Sequence, residues 1–362
     1  MRTLRVRATG LIIAGTLAGD KLQAGSTNDC QFADSASPIF SVPPPSLKLN
    51  GPPADSHRTT MQGTRLRRGD WVEIRPASEI LETLDPQGRL DGLPFMPEMI
   101  RFCGDRRRVA ATADRICSEE DGKMRRLADA VVLERIRCDG AAHDGCQRAC
   151  TVFWKTAWLR KSDGPADQPA PGGEPSVGWA HRLSIREGDR YICQSTELRA
   201  ASRPYSKWDP RKQLADLFAG NVGPAAFVAT ALRVLARRLG EGPRPQHREG
   251  RMHPAASAPA LFQPGARVRV LDASAILSTL DMHGRHRGLS FEPDMLTHCG
   301  GRYRIERRVE RIILETSGTM RQLSGTVALE GVDCRRCVRA SPLYWRHIWL
   351  EPEQDGPTGG KE

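Results

Sequence analysis

Residues 69–104, GDWVEIRPASEILETLDPQGRLDGLPFMPEMIRFCG, recur as residues 265–300, GARVRVLDASAILSTLDMHGRHRGLSFEPDMLTHCG. Matching residue n with residue n + 196 needs no gap from Gly69 to Cys138. Beyond that point the match continues with a deletion, so that residues 69–159 as a whole correspond to residues 265–350. A match of this length in one register indicates an internal repeat, and it predicts one module used twice.

The local pattern of each copy predicts mostly short strands. An alternating strand opens each copy, and a two-turn helix follows, with Ser78 or Ser274 predicted as its N-cap. Asp85 to Gly88 is typical of a turn, and Pro97 favours the start of a further helical turn. Later strands are predicted at 107–110, 130–133 and 151–159. The predicted fold is therefore mainly β with α: two small SH3-like, partly open β-barrel modules joined by a helical segment.

Composition shifts divide the chain around these two copies. Pro/Gly-rich stretches predict linkers, and Trp208-Asp209-Pro210 is typical of a helix start. The predicted divisions are a disordered or weakly signal-like tail (1–64), the first module with a Cys/His cluster (65–161), a linker (162–178), a strand plus helical bridging segment (179–240), a second linker (241–261), the second, degenerate module (262–352) and a disordered tail (353–362).

Composition and charge place the chain among globular proteins. Its hydrophobic content is 39% and its charged content 27%, with a net charge of +11. This charge permits binding to nucleic acid, but no dense Lys/Arg run is present, which favours a solvated surface. The apolar stretch at residues 8–19 resembles a signal peptide, is too short to span a bilayer and precedes a poor cleavage site. We expect a cytoplasmic protein without a transmembrane segment, with secretion left open.

The chemistry is concentrated in a Cys/His cluster of the first copy. Cys138-x4-His143-x2-Cys146-x3-Cys150 places four donors on a short loop that contains Gly140 and Gly145, a spacing that suits tetrahedral zinc. Cys-only subsets would suit an iron–sulfur cluster, whereas disulfides and buried thiols without a metal are the structural alternatives. The candidate metal ligands are Cys103, Cys117, Cys138, His143, Cys146 and Cys150.

The second copy retains part of this cluster. Five residues are missing after Cys334, including the position of His143, so the offset between the copies falls to 191. Ile313 replaces Cys117 and Ser341 replaces Cys150, whereas Cys299, Cys334 and Cys337 keep the places of Cys103, Cys138 and Cys146. The joint loss predicts that Cys117 and Cys150 are partners in the first copy.

Four tryptophans fall at matching places in the two copies. Their spacing of four within predicted strands puts each pair on one face, where core packing is expected and a ligand-stacking platform is the alternative. The pairs are Trp154 with Trp158 and Trp345 with Trp349. No P-loop, dinucleotide-binding glycine motif or nucleophile elbow is present, and no catalytic residue is predicted.

Specific motifs carry a family resemblance over residues 65–352. They include Gly-Leu-Pro-Phe-Met-Pro-Glu-Met at 92–99, Gly-Cys-Gln at 145–147, Trp-Asp-Pro-Arg at 208–211 and Tyr-Trp-Arg at 344–346. Together they resemble an uncharacterised bacterial family of tandem SH3-like modules with a Cys/His cluster. The resemblance implies an accessory role tied to a biosynthetic pathway and names no reaction.

The sequence therefore predicts a non-catalytic, metal-stapled binding or accessory protein with zinc in the first module and a protein or peptide partner. A metal- or cysteine-dependent enzyme is the first alternative, and a nucleic-acid-binding protein with basic barrels is the second. The pattern leaves the oligomeric state open.

Overall fold

The computed structural model describes residues 65–164, 183–205, 214, 217–225, 227–229, 232 and 262–353. The predictions for the tail 1–64, for most of both linkers and for the C-terminal tail lie outside these residues. Two helices are expected between residues 208 and 239. The structure describes the following helical residues in this stretch: 214, 217–218, 224–225, 227–229 and 232.

Residues 65–164, which we name the first module, are built from short strands. In chain order the module contains β1 (Trp71–Ile74), α1 (Ala77–Glu82), β2 (Arg89–Leu90), β3 (Leu93–Pro94), a 3₁₀ helix (Pro97–Phe102), β4 (Arg106–Thr112), β5 (Ile116–Cys117), β6 (Met124–Arg126), β7 (Ala130–Arg137), β8 (Thr151–Lys155), a 3₁₀ turn (Thr156–Trp158) and β9 (Leu159–Ser162).

The chain between the modules is described at residues 183–205, which we name the connecting segment. It contains β10 (Arg186–Glu187), β11 (Arg190–Tyr191), α2 (Leu198–Ala201) and β12 (Arg203–Pro204).

The second module, residues 262–352, repeats the element order of the first. It contains β13 (Arg267–Val270), α3 (Ala273–Leu277), β14 (Arg285–His286), β15 (Leu289–Ser290), a 3₁₀ helix (Pro293–His298), β16 (Arg302–Arg308), β17 (Arg311–Ile313), β18 (Met320–Gln322), β19 (Thr326–Asp333), β20 (Pro342–Arg346), a 3₁₀ turn (His347–Trp349) and β21 (Leu350–Pro352).

Each module contains one curled, antiparallel, five-stranded sheet, so the chain is mainly β with two half-barrels and short helices. The strand orders are β8-β7-β4-β1-β9 and β20-β19-β16-β13-β21. The registers also correspond, because Val72 lies opposite Arg107 and Val268 lies opposite Tyr303. Both sheets have a bulge at the same place, within β4 and within β16, and such a bulge increases strand bending and sheet curl.

The short helix begins earlier than the sequence pattern predicts. Its N-caps are Pro76 and Asp272, so Ser78 and Ser274 lie inside the helix and the predicted serine caps are wrong. The physical reason is that Pro76 already leaves the strand in an extended conformation, and its carbonyl accepts the first helical bond from Ile80 N (3.2 Å). The predicted turn is confirmed, since Gly88 N donates to Asp85 O at 2.9 Å.

The four matched tryptophans are fully buried, which confirms core packing and contradicts the ligand-stacking platform. The strand predicted over 151–159 is interrupted, because the 3₁₀ turn separates β8 from β9. In each module one phenylalanine packs edge-on against both tryptophans; Phe95 lies 5.3 Å from Trp158 and Phe291 lies 5.6 Å from Trp349, centroid to centroid. Each half-barrel therefore has its own aromatic core.

The connecting segment contacts both modules. Leu183 and Leu198 are buried in the core of the first module, and β12 pairs with β6. Toward the second module, Tyr191 N donates to Gly318 O at 2.8 Å. Within the described part of the chain, no helix is long and apolar enough to cross a membrane.

Candidate functional site

The two modules meet across an approximate two-fold axis. Gln147 N donates to Arg311 O (2.9 Å), and its counterpart Val338 N donates to Arg115 O (3.5 Å). Contacts that recur in both directions are the mark of an isologous interface, in which the same patch is used by both partners. In this chain the two partners are the two copies of the repeat.

Two buried arginines lie on either side of this axis. Arg148 Nη1 donates to Ile313 O (3.0 Å), and the equivalent Arg339 Nη1 donates to Cys117 O (2.8 Å). Each guanidinium also pairs with a carboxylate of its own module, Arg148 with Glu119 and Arg339 with Glu315. Because all four side chains are at most 8% exposed, their charges are compensated by one another rather than by water.

The axis relates two small cavities, one in each module, and each cavity is closed by a strand of the other module. The first cavity is lined by Cys138, Cys146 and Cys150 of the loop between β7 and β8, and β17 closes it with Ile313. The second is lined by Cys334 and Cys337, and β5 closes it with Cys117. The hairpin that carries residue 117 or 313 is thus exchanged between the modules.

The first cavity has a fourth thiol, that of Cys193 in the connecting segment. Its free volume is about 20 Å³, room for roughly one water molecule or one ion. Burial raises the pKa of Cys150 to about 12 and raises the pKa values of Cys138 and Cys193 as well. In the absence of a bound cation these thiols are therefore protonated at neutral pH.

The loop that supplies three of these thiols depends on one glycine. Gly140 has a φ of +69°, and a Cβ there would lie 2.1 Å from Cys146 O. The carbonyl of Gly140 accepts hydrogen bonds from His143 N (2.9 Å) and Gly145 N (3.0 Å), while Cys138 N donates to Cys150 O (2.9 Å). A side chain at residue 140 would therefore open the loop that surrounds the cavity.

His143 lies at the cavity wall with both ring nitrogens engaged. Nδ1 is 2.6 Å from Glu98 Oε1, and Nε2 donates to Ile192 O at 2.9 Å. Burial lowers the pKa of His143, but the bond to Glu98 outweighs it, so the net shift is upward. In this arrangement the imidazole has no lone pair for a metal, and it ties the loop to the connecting segment.

The structure separates the six predicted ligands. Cys138, His143, Cys146 and Cys150 surround the first cavity, whereas Cys103 is buried in the core of the first module. Cys117 belongs to the second cavity and Cys150 to the first, so the structure does not pair them as the sequence predicts. Within the described ranges, no group of three or more His, Cys, Asp or Glu side chains is arranged to hold a metal ion.

Cys193 lines the first cavity but is not among the ligands that the sequence predicts. It lies beside Gln194 in a short strand-and-turn motif, and the sequence of this motif does not indicate where it docks. Gln194 is buried and fixes this motif to β8, because its side chain accepts from Phe153 N (2.8 Å) and donates to Phe153 O (2.9 Å).

The second cavity contains a close pair of thiols. Cys117 Sγ and Cys337 Sγ are 3.1 Å apart. The hydrogen bond from Cys117 lowers the pKa of Cys337 to about 7, and Arg339 contributes to the shift. Cys334 donates to Asp294, the counterpart of Glu98, at 3.4 Å, and Arg336 Nε donates to the same carboxylate at 3.2 Å. Arg336 thus occupies the role that His143 has in the first module.

Comparison with protein-family models and with curated proteins finds no match for the chain.

Proposed function

We propose that this is a non-catalytic binding or accessory protein whose first cavity holds a zinc ion through Cys138, Cys146, Cys150 and Cys193. The observation that carries the proposal is that four cysteines line one cavity about the size of an ion. Four sulfur ligands are a common set for structural zinc, at about 2.3 Å from the metal. The thiols must approach one another to reach this distance, so metal binding would require a local adjustment of the loop 138–150.

The choice of ligands follows from what the other candidates already do. His143 is held by Glu98 and Ile192, Cys103 is packed in the core, and Cys117 lies beside Cys337. Arg148 also lines the first cavity, and a buried guanidinium favours thiolate over thiol. Zinc is preferred to an iron–sulfur cluster because the cavity is the size of one ion.

The role of the metal would be mechanical. It would join the loop 138–150 to the connecting segment, which contacts both modules, and so stabilise the surface that the loop presents to a protein or peptide. Thiolate ligands require a reducing compartment, so we place the protein in the cytoplasm. We propose SH3-like barrels as the fold type and the strand plus helical bridging segment at residues 179–240 as the part that joins them.

The test is zinc analysis of the full chain purified without oxygen. Cys193→Ser is compared with Cys103→Ser, because each removes one thiol of the first module and only Cys193 lines the cavity. The wild type and Cys103→Ser are expected to contain about one zinc per chain, and Cys193→Ser almost none. Wild-type protein without zinc, or zinc retained by Cys193→Ser, would overturn the assignment. A brown protein with acid-labile sulfide would replace zinc by an iron–sulfur cluster.

The mechanical role of the metal is tested separately, by hydrogen exchange before and after chelation of the metal. Removal should speed exchange in residues 138–150 and in the connecting segment, while the β16 and β19 amides of the second module stay protected. Global loss of protection in both modules would show that the metal holds the whole fold rather than one binding surface.

A further inference from the structure

The second module contains a cationic cavity that the zinc proposal does not use. Its free volume is about 130 Å³, and three of its lining side chains are Arg287, Arg321 and Arg346. Arg287 and Gly288 are exposed at the rim, so the cavity is open to solvent. A cavity with several guanidinium groups is the usual form of an oxyanion site.

Arg346 lies at the inner end of this cavity and is only 6% exposed. Its Nη1 donates to Ser324 O (2.7 Å) and Thr326 Oγ1 (2.9 Å), and its Nη2 donates to Arg287 O (2.8 Å). These partners are neutral, and the buried Nε has no hydrogen-bond partner among the described residues. A buried cation with neutral partners only is costly unless a counter-charge is supplied.

The first module supplies that counter-charge internally. Lys155, the counterpart of Arg346, is 2% exposed, and its Nζ donates to Asp91 Oδ2 at 2.8 Å. Asp91 is the counterpart of Arg287, and both have a left-handed backbone with φ near 50°. The second module has therefore exchanged a carboxylate for a second guanidinium on the same backbone, beside a cation that remains buried.

The surrounding groups respond to this excess of positive charge. Burial, with Arg287 and Arg321, lowers the pKa of Arg346 to about 10. The pKa of His286 is lowered by burial and by Arg346 and Arg287, and its buried Nδ1 has no hydrogen-bond partner among the described residues. Within those residues, neither Arg287 nor Arg346 forms an ion pair with a carboxylate.

We propose that this cavity binds a phosphate group, held by the guanidinium groups of Arg287 and Arg346 at the rim and the inner end, with Arg321 on its wall. The planar guanidinium fork matches the oxygen atoms of a phosphate, and the phosphate would supply the negative charge that the two guanidinium groups lack. The cavity is sized for a phosphate and a small attached group. The ligand is free phosphate or a small phosphate monoester, which share this chemistry.

The experiment is calorimetric titration of the full chain with inorganic phosphate and with glycerol phosphate, at constant ionic strength set by potassium chloride. Saturable binding to the wild type is expected. Tighter binding of glycerol phosphate would identify an ester as the ligand, and tighter binding of inorganic phosphate would identify the free anion. Heat that is abolished by raising the chloride concentration moderately would indicate unspecific screening and overturn the proposal.

Two substitutions at Arg287 locate the site. Arg287→Asp restores a carboxylate beside the buried cation, as in the first module, and should remove phosphate binding. Arg287→Asn removes the charge of Arg287 alone and should weaken phosphate binding by about tenfold or more. Asp and Asn both tolerate the left-handed backbone, so both variants are expected to fold. Arg335→Asp, which makes the same charge change in an exposed loop, is the matched control and should bind as the wild type does. Equal binding by Arg287→Asp and the wild type would overturn the proposal.

Discussion

The first and second cavities differ in the loop that surrounds each of them and in the strand that closes it. In the first, the longer loop provides three thiols, Cys193 adds a fourth and Ile313 closes the cavity. In the second, the loop is five residues shorter, Ser341 replaces one thiol and Cys117 closes the cavity. The comparison shows that neither module holds a complete cavity, because each borrows a wall from the other.

The same comparison explains why the residues around the two cavities can differ while the interface between the modules is kept. The arginine–carboxylate pairs are equivalent in both modules, whereas the residues around the cavities have diverged. Shared buried charges fix the relative position of the modules, and the cavities can then change without altering the interface. A substitution in one module can therefore be compared with the equivalent substitution in the other module.

The largest effect is expected from removing one interface arginine. Arg339→Ala removes the nearer charged partner of the buried Glu315 and leaves only Arg148 at 3.9 Å, which should lower the free energy of unfolding by about 3 kcal/mol. Arg148→Ala should cost a similar amount, because its environment is equivalent, and both modules should unfold in one transition. Chemical denaturation followed by tryptophan fluorescence measures both quantities. Arg335→Ala, in an exposed loop, is the control, and a near-zero effect of Arg339→Ala would contradict a shared interface.

The next effect compares the partners of the two matched carboxylates. His143→Ala removes the partner of Glu98, whose side chain is 3% exposed, and should cost about 3 kcal/mol. Arg336→Ala removes a partner of Asp294, which is 29% exposed, and should cost less than about 1 kcal/mol. Thermal unfolding of the two variants at one pH gives the comparison, and equal losses would show that burial does not distinguish the pairs.

The His143 pair also predicts a pH dependence, because its folded pKa is raised above the unfolded value. Its contribution should be fully present below the unfolded pKa of about 6.5 and should be lost as the pH rises through the folded pKa. The difference in unfolding free energy between the wild type and His143→Ala should therefore shrink with rising pH. The same difference for Arg336→Ala should stay constant over this range, since arginine does not titrate there. If the difference in unfolding free energy between the wild type and His143→Ala grew with pH, the pKa of His143 would be lowered on folding and not raised.

A smaller structural change is expected from mild oxidation. The thiols of Cys117 and Cys337 should form a disulfide with hydrogen peroxide, in which two thiols lose two electrons and two protons and the peroxide becomes two waters. The lowered pKa of Cys337 favours attack by its thiolate, whereas the sulfur atoms of the first cavity should react later because the proposed zinc holds them. Peptide mapping by mass spectrometry measures the order, with Cys337→Ser as the control. A disulfide within residues 138–150 that forms before the Cys117–Cys337 disulfide would contradict the predicted order.

Much of the fold could be predicted from the sequence because the relevant patterns are local. The turn at Asp85, the helical turn at Pro97 and the buried tryptophans follow from residue preferences within a few positions. The exchange of β5 and β17 is not local. Since the hairpin that carries Cys117 crosses to the other module, alignment of the copies cannot reveal which cavity receives its side chain.

The candidate site was predictable in part for the same reason. Cys138, Cys146 and Cys150 lie on one loop, so their spacing was sufficient to bring them together. Cys193 reaches them through the connecting segment, and Gln194 fixes its position by long-range hydrogen bonds that have no sequence signature. His143 has ligand spacing, but the buried Glu98 that engages its ring lies 45 residues away in the chain.

The most direct test of the central claim is X-ray absorption spectroscopy at the zinc edge, on the full chain purified without oxygen. The account predicts one shell of about four sulfur atoms at about 2.3 Å. The spectrum should be unchanged in Cys103→Ser, because that thiol lies in the core. Imidazole scattering from His143, a shell with fewer than four sulfur atoms, or the absence of zinc would contradict the assignment of Cys138, Cys146, Cys150 and Cys193.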